Sequence, residues 1–172
     1  MNSDVRDYRG GGGRTDHLQE QEWLESFAAR GGFGAPGPAT DDDLAKLTAL
    51  RSAMWRVVGR IVEGAEPDPA DVAAIDDALA RVALHRRLER SVSAYRLALR
   101  PQVSGWPWIA SEVAASFAEL LATIDRQRLK VCGNPDCRWV FYDESRNRSR
   151  RWCADSCGNL LKVRRFRRRQ ER

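Results

Sequence analysis

Histidine is nearly absent from this chain. Two occur in 172 residues, His17 and His85, which leaves little room for histidine-based catalysis. His85 sits among Arg86, Arg87 and Arg90 and reads as part of a solvated polar face. Long apolar runs are absent too: none approaches the roughly 18 residues that a membrane span needs. The first 14 residues are polar and glycine-rich, without the apolar core of a secretory signal. The expected location is therefore the cytoplasm, where thiols stay reduced. No cysteine precedes position 132, so the four that follow pose a metal question before a disulfide question.

Lysine is the other scarcity, with 3 Lys against 26 Arg. The position of the arginines matters more than their number. Residues 126–172 hold 15 Lys+Arg against 5 Asp+Glu, a net +10, and residues 1–125 hold 14 against 19, a net −5. An acidic body thus carries a strongly basic C-terminal module, the asymmetry expected for a polyanionic partner such as nucleic acid. The apolar share of 42% is enough for a real core.

The chain divides into a flexible start (1–14), a helical body (15–125) and a cysteine module (126–172). Gly10 to Gly13 reads as a flexible loop rather than a phosphate cradle, since no Gly-Lys-Ser/Thr follows. A first helix is expected from a Thr15 or Asp16 cap to Arg30, with Leu18, Trp23, Leu24 and Phe27 on its apolar side. Thr40 followed by Asp41, Asp42 and Asp43 is a helix start, and Leu44 to Val62 keeps helical spacing to about Glu63. Asp68-Pro69 caps a third helix. Tyr95, Leu97 and Leu99 alternate as a strand that can pair with 84–92. Residues 101–107 read as a turn, and Ile109, Val113, Phe117, Leu120, Leu121 and Ile124 mark a fourth helix. Trp106 and Trp108 read as packing residues, with a ligand-pocket role open. The fold class expected is mainly α (α+β), a helical body with a small hairpin.

Cys132 and Cys137 are followed, after 15 intervening residues, by Cys153 and Cys157. Two close pairs at this separation can bring four thiolates to one tetrahedral zinc, with no open position for catalysis. Four unrelated thiols or two disulfides remain the alternatives at this point. Residues 133–136 have the composition of a tight turn, residues 138–142 form a strand candidate and 143–148 a turn. Cys153 and Cys157 are expected on one side of a helix at its first turn. Knuckle, hairpin and helix in that order make a treble-clef-like finger. In the basic helix that follows, Lys162, Arg165, Arg168, Arg169 and Arg172 share about a third of the circumference at roughly 100° per residue. Leu160, Val163 and Phe166 are expected to pack on Trp139, Val140 and Phe141. Arg146, Arg148, Arg150 and Arg151 add a basic loop.

The segments Cys132-Gly-Asn-Pro-Asp-Cys137, WVFYDESRNRSRRWC and CGNLLKVRRFR resemble the CGNR zinc finger. In that family the finger follows a helical ABATE domain, and members are described as stress-induced transcription regulators. The resemblance implies a DNA-binding regulator. The name-giving motif falls on Cys157-Gly158-Asn159-Leu160, with leucine in place of the family's arginine; the zinc ligand is unaffected. ABATE domains open on an apolar strand, which Met1 to Tyr8 hardly supplies.

Three readings follow. In the first, one structural Zn2+ on Cys132, Cys137, Cys153 and Cys157 lets a small module fold. Lys162, Arg164, Arg165, Arg167, Arg168 and Arg169 then contact DNA, with Arg146, Arg148, Arg150 and Arg151 as secondary candidates, and the protein sits on the nucleoid. The body senses a small-molecule or protein effector, or mediates a homodimer. In the second reading the finger is a protein-interaction adaptor or an RNA binder. In the third the chain is an enzyme, which the sequence disfavours: residues 126–172 hold no histidine and no ligand for a second metal.

Overall fold

The computed structural model describes residues 1–123 and 125–170; Ile124 and Arg172, both named above, lie outside the described residues. The chain opens on a short antiparallel hairpin, β1 (Asp4–Arg6) and β2 (Arg14–Asp16), with Asp4 opposite Asp16. Strand pairing thus reaches into the segment expected to be a flexible start. It corrects the first helix, because Thr15 and Asp16 belong to a strand and Asp16 caps only a 3-10 turn, His17–Gln19. Helix α1 is Gln21–Arg30.

Helix α2 (Asp41–Val62) is the axis of the body. Its start follows from its sequence: Thr40 accepts from the Asp43 N–H while the Asp43 carboxylate accepts from the Thr40 N–H, a reciprocal cap. Helix α3 (Pro69–Ala80) begins on the Asp68 cap as the Asp-Pro pair predicts. Helix α4 (Trp106–Thr123) begins earlier than expected, since Trp106 turns into the core and donates its indole N–H to the Gly37 carbonyl at 3.0 Å. Ala53, Val57 and Val58 of α2 meet Ile109, Ala114 and Phe117 of α4 and Ile75 of α3 in one buried cluster. Each such large side chain contributes roughly 1.5–3 kcal/mol on burial.

Between α3 and α4 stands the hairpin of β3 (Leu84–Arg90) and β4 (Tyr95–Pro101), paired from Leu84↔Pro101 to Arg90↔Tyr95. The register puts Leu84, Leu88, Leu97, Leu99 and Tyr95 on one face, yet all five are exposed. A third pair, β5 (Leu129–Val131) and β6 (Val140–Tyr142), flanks the first two cysteines. Leu129 and Val140 belong to the same buried cluster as the helices. Helix α5 (Asp155–Gln170) closes the chain.

Candidate metal centre and basic helix

The thiol sulfurs of Cys132, Cys137, Cys153 and Cys157 all lie within 4.8 Å of one another. Two of the separations are 3.7 Å (Cys137–Cys153) and 3.9 Å (Cys153–Cys157). A tetrahedron of sulfurs about 2.3 Å from zinc has edges of about 3.8 Å, so the four donors fit one zinc ion. None is in a disulfide.

Backbone hydrogen bonds hold Cys132, Cys137 and Cys157 in place. The strands β5 and β6 hold the knuckle between them, and the Cys132 N–H donates to the Trp139 carbonyl at 2.8 Å. The hairpin therefore wraps the knuckle rather than following it. Its second strand is shorter than residues 138–142, because Arg138 has φ +57° and turns the chain. The Gly133 N–H donates to the Arg151 carbonyl at 2.8 Å, and a Cβ on Gly133 would stand 3.0 Å from that oxygen. Cys153 lies two residues before α5, not on it; only Cys157 is in the first turn. Gly158 lets the Trp152 ring close on the helix, 3.2 Å from where a Cβ would sit.

Burial pushes the Cys137 thiol up to about 11 and Cys153 higher still in the absence of a cation. Burial also opposes ionisation of Cys132, but hydrogen bonds from the Asn134 and Cys153 backbone and from the Cys153 and Cys157 thiols bring it below its ordinary value. Four sulfurs this close cannot all ionise without a positive ion between them.

The first residues of the chain close over this centre. Asn134, fully buried, donates its amide to the Tyr8 carbonyl at 2.8 Å, and Tyr8 packs against the cysteine cluster. Arg164 donates to the Arg9 carbonyl and pairs with Asp136 at 2.7 Å. Gly10, at φ +82°, leaves no room for a Cβ, which would stand 2.6 Å from the Arg164 guanidinium. Asn2 pairs in both directions with the Val140 backbone, at 2.9 and 3.1 Å.

A second organising residue escaped the sequence reading. Asp143 is fully buried. Its carboxylate accepts from Lys130 Nζ at 2.6 Å, Ser145 Oγ at 2.6 Å and N–H at 3.0 Å, and the Arg150 N–H at 2.9 Å. Burial works against its charge, and these donors overcome it, holding the carboxyl far below the usual carboxylate range. Arg128 adds hydrogen bonds to the Asp143 and Ser145 carbonyls at 2.8 and 2.9 Å. The Asp-x-Ser spacing was the available signal, since two residues is the reach of an Asx turn.

The basic residues separate into committed and uncommitted sets. Arg164, two turns after Cys157, is locked to Asp136 and leaves the set free to meet a ligand. Arg148 pairs with Asp125 at 3.1 Å, Arg150 donates to the Cys153 carbonyl at 2.6 Å and Arg151 lies over the Trp152 ring. Arg146, Lys162, Arg165, Arg167, Arg168 and Arg169 are exposed, and among the described residues no carboxylate pairs with them. Val163 and Phe166 are exposed as well, 46% and 62%, so they do not pack on the strand as expected.

The model of the ABATE family, described as "Putative stress-induced transcription regulator", matches residues 1–124. The chain belongs to the ABATE family. The CGNR zinc-finger model matches residues 128–170, the segment that carries all four cysteines. No curated relative matches the chain. Among the described residues, no helix of this ABATE-family protein is long and apolar enough to cross a membrane.

Proposed function

We propose that this chain is a DNA-binding regulator in which one structural zinc ion, held by the four cysteines, fixes α5 so that its free cations meet the phosphate backbone. One observation carries the reading: the module sorts its cations. Arg164 is used to anchor the helix, while Lys162, Arg165, Arg167, Arg168 and Arg169 stay exposed with no carboxylate partner among the described residues. A helix built for solvation alone would gain from acids interspersed at i+4; from Lys162 to Arg169 there are none. The zinc supplies a dense, closed charge centre that holds the four thiolates and the orientation of α5.

The test is fluorescence anisotropy of the zinc-loaded protein with mixed duplex DNA across a salt series, with heparin as the polyanion control. Binding that falls steeply with salt and prefers duplex is expected. Replacing Arg165 and Arg169 by Ala should flatten the log–log salt slope by up to about 2. No binding at low salt overturns the reading. A preference for single-stranded RNA would move the same module to RNA. Heparin binding as tight as duplex binding would support the second reading instead, an adaptor whose basic face docks on an acidic partner.

A further inference from the structure

Behind the first strand, α1, α2 and α4 line a partly open cavity of about 380 Å3. Its volume falls within the roughly 300–1,000 Å3 of small-molecule sites. One wall is a column of nearly parallel rings. His17 stacks on Trp23 at 5.5 Å with 7° between planes, and Trp23 on Phe27 at 5.3 Å with 10°. Trp106 of α4 and Trp139 of the cysteine knuckle also line the space.

The polar side chains around it are already engaged, and the Met1 amino group at its edge is pushed toward its neutral form by burial and by the nearby Arg51. Arg51 is held by both oxygens of Asp16, at 2.5 and 2.7 Å, and by Ser3. His17 Nδ1 lies 2.7 Å from Glu20, and the Asn2 amide is paired with Val140. No uncompensated charge among these side chains awaits a charged ligand, and water would find few partners. The side of the ring column offers apolar ring edges instead, which an aromatic ligand can meet edge to face.

We propose that this cavity binds a neutral, flat aromatic molecule against the His17–Trp23–Phe27 column, and that Trp139 carries its presence to the metal centre. Trp139 lines the cavity, and its carbonyl accepts from the Cys132 N–H at 2.8 Å. A ligand pressing on the indole thereby acts on the backbone that aims a metal ligand. Neither part depends on whether α5 binds DNA, because both are read without DNA.

The experiment uses the full, zinc-loaded chain labelled with nitrogen-15 and titrated with N-phenyl-1-naphthylamine, with the anionic 1-anilinonaphthalene-8-sulfonate as its charged counterpart. Saturable one-to-one binding of the neutral probe is expected, with shifts at the indole N–H groups of Trp23, Trp106 and Trp139 and at the Cys132 amide. The sulfonate should bind about tenfold more weakly or worse, and Val113→Phe, which fills the cavity, should lower the neutral probe's affinity by about tenfold. Leu97→Ser with Leu99→Ser, on the exposed hairpin, should change neither. The shift map decides the site even if Val113→Phe fails to fold. Absence of saturable binding, shifts confined to residues 84–101, or equal binding of the sulfonate would overturn the site. Shifts at Trp23 with none at Trp139 or Cys132 would overturn the transmission.

Discussion

Asp16→Ala tests how the body holds the first hairpin and, through it, the metal centre. Arg51 is 8% exposed and projects from α2; its guanidinium is clasped by both Asp16 oxygens and by Ser3. Removing the carboxylate leaves a buried cation with one hydroxyl for company. Breaking such a pair from one side costs about 3–5 kcal/mol, and we expect about 3 because 23% of the Asp16 side chain still meets solvent. For a chain of this size that lowers Tm by roughly 6–12 °C. The double variant Asp16→Ala, Arg51→Met removes both charges and should recover at least half of the loss. The pH dependence has a definite sign. The Arg51 hydrogen bonds hold the Asp16 carboxyl below its ordinary value. Its contribution is therefore full above an unfolded value of about 4 and is lost as pH falls through the folded value. The gap between wild type and Asp16→Ala should be complete at neutral pH and narrow in acid. Zinc release to a chelator should also quicken, because the same hairpin carries Tyr8 and Arg9 to the knuckle. The assay is urea and thermal unfolding of the zinc-loaded protein by circular dichroism, beside chelator kinetics. A loss below about 0.5 kcal/mol, or a double variant no better than the single one, refutes this reasoning.

Cys153→Ser should drop bound zinc well below one per chain and reduce helicity, read by metal analysis and circular dichroism; full zinc with full helicity would refute the four-thiolate centre. Asp143→Asn turns an amide N–H toward Lys130 or Ser145, so amide exchange at Ser145 and Arg150 should accelerate, and unchanged protection would refute the clasp. In the wild type, where the carboxyl lies far below its ordinary range, the same loosening should appear only in strong acid. Val163→Ser and Phe166→Ser should each change stability by no more than about 0.5 kcal/mol, because both side chains are exposed; a larger loss in urea unfolding would show that they pack against something.

What could be read in advance was local. Thr40 with Asp43, and Asp68 with Pro69, announce helix starts because a cap and its helix are neighbours in sequence. The cysteine spacing announced the metal centre for the same reason. The CGNR resemblance located the finger through its cysteines and the Asp143-x-Ser145 segment, but only the structure shows why that segment matters. Arg51 and Asp16 meet across 35 positions, and no periodicity encodes such a pair. The strand Asp4–Arg6 is too short to show a pattern and exists because β2 pairs with it. In β4 the alternation of Tyr95, Leu97 and Leu99 predicted the strand correctly, yet alternation cannot say whether anything covers the apolar face. The packing proposed for Val163 and Phe166 failed, since both side chains stand exposed on α5.

The grip of Asn2, Tyr8 and Arg9 on the knuckle and on Arg164 bears on how such a protein can be taken apart. Zinc fingers are often treated as cassettes, to be cut out and grafted onto another carrier. Severed near residue 126, this finger would leave behind the acceptor of its buried Asn134 amide, the clamp on Val140 and the helices that cover Leu129. The transplanted helix would keep its arginines and lose the frame that aims them. Recombination that shuffles heads among bodies has to carry residues 2–9 with residues 128–170, two stretches that lie far apart in the sequence.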